Sequence, residues 1–168
     1  MISTHRQKPG WIRQVGVKKA ANKVAYREEM QSTMRVKVYT DGSDVKGGVG
    51  AAALLIRDSR RQGTLRTHLG SSTQHTIYEA ELAGILLATH LLKSKPNWQE
   101  AEIALDSQAA IDALFLTRPV PSHYLVDEIH KQMKVVRWGL CGYWVSLLTA
   151  TMYFSIDWSL KRMKVFIY

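Results

Sequence analysis

The order of apolar runs along this chain predicts an α/β domain with a mixed sheet, β-β-β-α-β-α-α. Three observations carry the prediction. Residues 35–70 alternate in strand fashion around two turn-forming segments. Residues 74–93 then switch to helical periodicity. A second short apolar run, Ala101–Leu105, returns between two helical segments. A helical crossover of that kind sets the new strand parallel to the first and beside it.

Val36, Val38 and Thr40 alternate with Lys37, Tyr39 and Asp41, the signature of a half-buried strand. Asp41-Gly42-Ser43-Asp44 and Lys46-Gly47-Gly48 supply turn chemistry. Val49–Ile56 is an apolar run of strand length, Arg57–Gly63 a polar turn, and Thr64–Leu69 a third strand, which completes an antiparallel meander. Gln74–Lys93 is the clearest helix. Spacing at 100° puts Glu79, His90, Lys93 and Ser94 in one polar sector, with Tyr78, Leu82, Ile85, Leu86 and Leu92 opposite. Glu81 stacks with Ile85, Ala88 and Leu92, outside the polar sector. A carboxylate on a buried flank costs energy unless something compensates it, so Glu81 is the functional candidate. Glu79 reads as a solvent-facing acid that complements the helix dipole.

Pro96-Asn97-Trp98 interrupts the chain before the strand Ala101–Leu105. Asp106-Ser107 can cap a helix over Gln108–Leu116. Pro119-Val120-Pro121 is a linker. His123–Val136 has a helical pattern with Tyr124, Ile129 and Met133 on the apolar side and Lys131 and Lys134 exposed. Residues 1–33 show no sustained period beyond a weak helical pattern around Lys18–Met30, and read as a basic tail or linker. Residues 34–137 form the domain, and residues 138–168 an atypical hydrophobic C-terminal tail.

Alone, Asp41 reads as the opener of an Asp-Gly turn and Asp106 as a helix cap. Together with Glu81 they place acids at a strand end, a helix start and a second strand end. Convergence of such carboxylates suits hard divalent cations and phosphodiester chemistry. The six histidines are scattered without zinc spacing. Ser43 has no accompanying His and acid motif, which argues against a serine hydrolase.

Four segments, in order and at matching spacing, resemble the type 1 ribonuclease H domain, particularly the copies in retrotransposon polyproteins. They are Tyr39-Thr40-Asp41-Gly42-Ser43, Gly47-Gly48-Val49-Gly50-Ala51-Ala52, Tyr78-Glu79-Ala80-Glu81-Leu82-Ala83-Gly84 and Asp106-Ser107-Gln108-Ala109-Ala110-Ile111. The resemblance covers roughly residues 34–137. It implies a ribonuclease H-like mixed sheet with flanking helices and cleavage of the RNA strand of an RNA–DNA hybrid. It implies metal ligation and catalysis by Asp41, Glu81 and Asp106 with two Mg²⁺ ions, Mn²⁺ being the alternative ion. It sets Gly42, Ser43, Ser107 and Gln108 near the substrate.

The family continues into a fifth strand, a Trp-Val-Pro-Gly-His-like segment and a last helix that opens on a fourth acid. After Arg137 this chain instead reads Trp138-Gly139-Leu140-Cys141-Gly142-Tyr143-Trp144. The expectation is therefore a truncated or frameshifted C-terminus, with the fifth strand and last helix missing or atypical. Asp157 is a doubtful fourth ligand, its setting Ser155-Ile156-Asp157-Trp158 lacking the motif. The rival reading is an inactive nucleic-acid-binding relic of such a domain.

Composition bounds these readings. The 168 residues suit one domain with a real core. One cysteine, Cys141, excludes an internal disulfide and a cysteine-based zinc site. The net charge is +9, of which residues 1–35 hold +6, and a basic arm of this kind favours a polyanionic partner. Residues 138–156 form a charge-free run of 19 residues, the rough minimum for a membrane span, but two Gly, two Ser, two Thr and a Cys dilute it. No membrane span, no obligate protein partner and an intracellular setting are expected, with nucleus and cytoplasm not distinguished.

Overall fold

The computed structural model describes residues 15–19, 34–95, 98, 101–116, 118, 120–148 and 163–167. The elements are β1 (Val15–Lys19), β2 (Val36–Val45), β3 (Gly48–Arg57), β4 (Arg60–Ser71), α1 (Ile77–Ser94), β5 (Ala101–Leu105), α2 (Gln108–Phe115), α3 (His123–Leu148) and β6 (Met163–Ile167). They build a mixed sheet in the order β1-β6-β5-β2-β3-β4. β2, β3 and β4 are antiparallel neighbours, while β2, β5, β6 and β1 run parallel. The four expected strands are thus present in a ribonuclease H-like α/β arrangement, with β5 beside β2 as the crossover predicts.

β2 is longer than its alternation suggests. Asp41, Gly42, Ser43 and Asp44 stay in register with Ala52, Ala51, Gly50 and Val49 and do not turn. The reversal comes at Lys46 and Gly47, both at positive φ, the conformation a two-residue hairpin needs. The second reversal is equally tight. Asp58 and Ser59 take positive φ, so the expected seven-residue turn shrinks to two and β4 begins at Arg60. Asp is among the non-glycine residues that adopt this region most readily.

α1 packs its apolar stripe on β2 and β3. Leu82, Ile85 and Leu92 are each 2% exposed or less, and they meet Val38, Leu55 and Ile103 in one core with Ile111 and Ile129. A fully buried Leu or Ile contributes on the order of 1.5–3 kcal/mol, so this interface holds the helix in place. α1 starts at Ile77 rather than Gln74, because Thr76 makes the N-cap. The Trp98 indole N–H donates to the Leu92 carbonyl at 3.1 Å and seals the break after α1. In α3 the inward residues are Leu125, Val126, Ile129 and Met133, whereas Tyr124 is 61% exposed. Ile129 and Met133 lie inward as expected, and only Tyr124 departs, in the first turn, where Leu125 takes the core contact.

The flanks extend the expected sheet. β6, Met163-Lys164-Val165-Phe166-Ile167, lies parallel to β5 over all five of its residues. A strand therefore does stand next to β5, although the apolar tail after Arg137 gave no sign of one. Before it, α3 runs on through residue 137 to Leu148. β5 is buried along its whole length, as a strand with neighbours on both sides should be. On the far side β1 pairs with β6, and Lys18 and Lys19 are strand rather than helix. The remainder of the weak helical pattern around Lys18–Met30 lies outside the described residues.

Candidate active site

The site forms where α1 begins, because Gly42 lets the helix touch the sheet. A Cβ built on Gly42 would lie 2.7 Å from the Glu81 backbone nitrogen and 2.9 Å from the Ala80 carbonyl carbon. No side chain fits there, so the glycine next to Asp41 is fixed by the approach of the helix. The contact is also polar. The Gly42 N–H donates to Glu81 Oε1 at 3.2 Å, tying strand to helix across 39 residues. One element further on, the Thr40 hydroxyl donates to the Ala104 carbonyl at 3.3 Å and aligns β2 with β5 just before Asp106.

Glu81 is 5% exposed, and its second oxygen, Oε2, is buried without a hydrogen-bond partner. Burial raises its pKa from 4.5 to about 7. The nearby Asp106 and, less strongly, Asp41 push the same way, while the Gly42 N–H opposes them. The charges of Asp106 and Asp41 therefore both reach Glu81. Asp41 and Asp106 are exposed beside it. Among the described residues no ion pair engages any of the three. Among the same residues no group of three or more His, Cys, Asp or Glu side chains stands arranged to hold a metal ion. A buried, orphaned carboxylate oxygen with two acids beside it nonetheless has the charge and donor chemistry that a hard cation fits.

The remaining candidates divide. Gly42 is at the centre of the site. Ser43 is half-buried on β2 next to it. Ser107 caps α2, its hydroxyl accepting from the Ala110 N–H at 3.3 Å, which leaves the Asp106 side chain out of the cap. Gln108 turns along its own helix, donating from Nε2 to Asp112 Oδ1 at 2.8 Å. Asp157 lies outside the described residues.

Glu79 is half-buried rather than solvent-facing, and it is fully engaged. Its Oε2 accepts from the Thr76 N–H at 2.9 Å, and its own N–H donates to the Thr76 hydroxyl at 3.2 Å, a capping box. The Ser122 hydroxyl donates to Glu79 Oε1 at 2.7 Å, and His75 Nδ1 stands 3.4 Å from Oε2. The Ser122 bond first, then the Thr76 N–H, hold its carboxyl below the usual range. Sequence reasoning foresaw neither the Ser122 partner, 43 residues away, nor the wholly buried acid Glu102 in β5. The available signal for Glu102 was one acid inside the otherwise apolar run Ala-Glu-Ile-Ala-Leu. It stands in register with Lys37 of β2.

No protein-family model matches the chain, and no curated protein matches it by sequence. Its likeness is to solved structures. The N-terminal RNase H domain of a Mycobacterium tuberculosis protein aligns with a TM-score of 0.51 at 14% identity, covering 80% of this chain and 87% of that one. A foamy viral protease–reverse transcriptase, solved in complex with dsDNA, aligns at 0.50 and 16% identity, covering 62% and 77%. RNase H1 from the halophilic archaeon Halobacterium salinarum aligns at 0.49 and 14% identity, covering 80% and 86%. At such identities the first two show a shared RNase H-like fold, and the chemistry rests on this chain's own residues.

Proposed function

We propose that this chain is a metal-dependent ribonuclease acting on the RNA strand of an RNA–DNA hybrid. The observation that carries the reading is the orphaned, buried Glu81 carboxylate beside Gly42, in the field of Asp106 and Asp41. A protein keeps an uncompensated buried acid at a cost, and such groups concentrate at functional sites. Asp41, Glu81 and Asp106 would hold the ions, with Mg²⁺ the expected metal and Mn²⁺ the alternative. When bound, the divalent cations supply Lewis-acid polarisation of the phosphate and lower the pKa of nearby water.

The chain's own residues do the rest. Gly42 holds Glu81 Oε1 through its N–H, and Oε2 has no hydrogen-bond partner of its own. Asp41 and Asp106, both exposed, would complete the donor set. Ser43 on β2 would contact a sugar or phosphate, and selection of the hybrid would come from 2′-hydroxyls and groove shape rather than base edges. Asp157 remains a doubtful fourth ligand. The fold likeness to RNase H domains supports the reading.

The test is cleavage of an end-labelled hybrid with Mg²⁺ and with Mn²⁺, against Asp41→Asn. Metal-dependent cutting of the RNA strand that vanishes in the variant is expected. Binding without cutting under either ion would establish the second reading, an inactive nucleic-acid-binding relic. The lack of a ready-made three-donor cluster among the described residues favours that alternative.

A further inference from the structure

The face of β2, β3 and β4 turned away from α1 carries an arrangement that the acids alone do not explain. On β3 the buried residues Val49, Ala51, Ala53 and Leu55 face the helix, so Gly50 and Ala52 lie on the opposite side. By register, Asp41 of β2, Ala52 of β3 and Arg66 of β4 form one row across the sheet. Ser43, Gly50 and His68 form the next. The middle of each row is a small residue. The His68 ring lies close over the neighbouring Gly48, where a Cβ would come within 3.2 Å of its Cε1. The result is a shallow floor with Asp41 and Ser43 on one side and Arg66 and His68 on the other. Two strand spacings separate the sides, about 10 Å.

The cations are available. Arg60, Arg61 and Arg66 are exposed, and among the described residues none of them forms an ion pair. The acid at the nearby hairpin, Asp58, is taken by Arg35 at 2.6 Å. Among the described residues no acid pairs with Arg66, and by register it stands level with Asp41.

We propose that this face is a phosphate trough, in which Arg66 holds a backbone phosphate of the RNA strand close to the one at Asp41. Arg61 continues the positive rim along β4. The inference rests on the hybrid-nuclease reading and adds a positioning residue that lies on the edge strand, outside the acidic site.

The test compares wild type, Arg66→Ala, Arg66→Lys and, as a cation already paired within the protein, Arg35→Ala. Binding of a labelled hybrid is followed by anisotropy in metal-free buffer from about 50 to 200 mM salt. Arg66→Ala should weaken binding about tenfold, the scale of one charge-assisted contact, and lower the salt slope by about one. Arg66→Lys should keep the slope, and Arg35→Ala should leave both unchanged. In cleavage assays Arg66→Ala should raise KM and spare kcat, with an unaltered melting temperature. Unchanged affinity and slope in Arg66→Ala, with a wild type that cuts the hybrid, would overturn the trough alone. A hybrid held through Arg66 but never cut with Mg²⁺ or Mn²⁺ would overturn the nuclease reading alone. A wild type that neither binds nor cuts would sink both.

Discussion

Two glutamates, two residues apart in the first turns of α1, occupy opposite environments. On the cap side, Glu79 is satisfied by Thr76, Ser122 and His75, and its carboxyl is held ionised. On the sheet side, Glu81 has one weak partner, one orphaned oxygen and two acids nearby, and its carboxyl is pushed toward protonation. Identical chemistry on one helix is thus satisfied on one flank and left without a full set of partners on the other. What separates them is a rotation of about 200°, two residues at 100° each, and the glycine that Glu81 meets there. A satisfied charge stabilises and has nothing left to bind with. An unsatisfied one costs stability and keeps its capacity for a ligand.

The largest expected effect breaks the comparison at the chemistry. Glu81→Gln, Asp106→Asn and Asp41→Asn should each lower metal-dependent hybrid cleavage by roughly 10²–10³-fold or more, as removal of an essential electrostatic group does. Glu79→Gln should retain activity within a few-fold. Equal losses at Glu79 and Glu81 in a cleavage assay would erase the distinction.

The next effect is on stability, through pH. Glu81 has a folded pKa of about 7 against 4.5 for the ordinary group, so folding favours its protonated form. The sign follows. The cost is absent below about pH 4.5, grows as pH rises toward 7 and is constant above. At 1.36 kcal/mol per pKa unit it amounts to about 3 kcal/mol at most. Metal-free Glu81→Gln should therefore melt higher than wild type at pH 8 and the same at pH 4. A lower melting temperature at pH 8 would make Glu81 a structural acid.

Gly42→Ala sharpens the same point from the strand. The new methyl must displace α1 backbone at 2.7 Å, an overpacking that costs about 1–3 kcal/mol. It should also part Gly42 N–H from Glu81, so activity falls further than stability does. Chemical denaturation and cleavage rates on one preparation separate the two losses.

The smallest effect lies on the cap side. Thr76→Ala removes half of the capping box and should cost about 1 kcal/mol, with cleavage kept in the folded fraction. A loss of activity beyond that of stability would mean that the cap reaches the site after all.

Much of this was legible in the sequence because periodicity carries it. The flank position of Glu81 relative to Glu79, and the strand Ala101–Leu105 followed by Asp106, follow from spacing alone. What escaped was non-local. Asp41-Gly42 reads as a turn because Asp-Gly usually makes one, and only the close packing of Glu81 against Gly42 shows the glycine serving a strand. The cap-side role of Glu79 depends on Ser122, far along the chain. β6 is a five-residue stretch, Met-Lys-Val-Phe-Ile, with no turn signal of its own, and its pairing with β5 is non-local. Tyr124 looked apolar by type and lies outward because the neighbouring Leu125 takes the core.

The most direct measurement is the titration of the Glu81 side-chain carboxyl by NMR, without and with Mg²⁺. The account predicts a midpoint near 7 in metal-free protein, a clear fall on adding Mg²⁺, and no comparable metal response at Glu79. A midpoint near 4.5 without metal, or one near 7 that Mg²⁺ leaves unmoved, would contradict the claim that this acid is held unsatisfied for a cation.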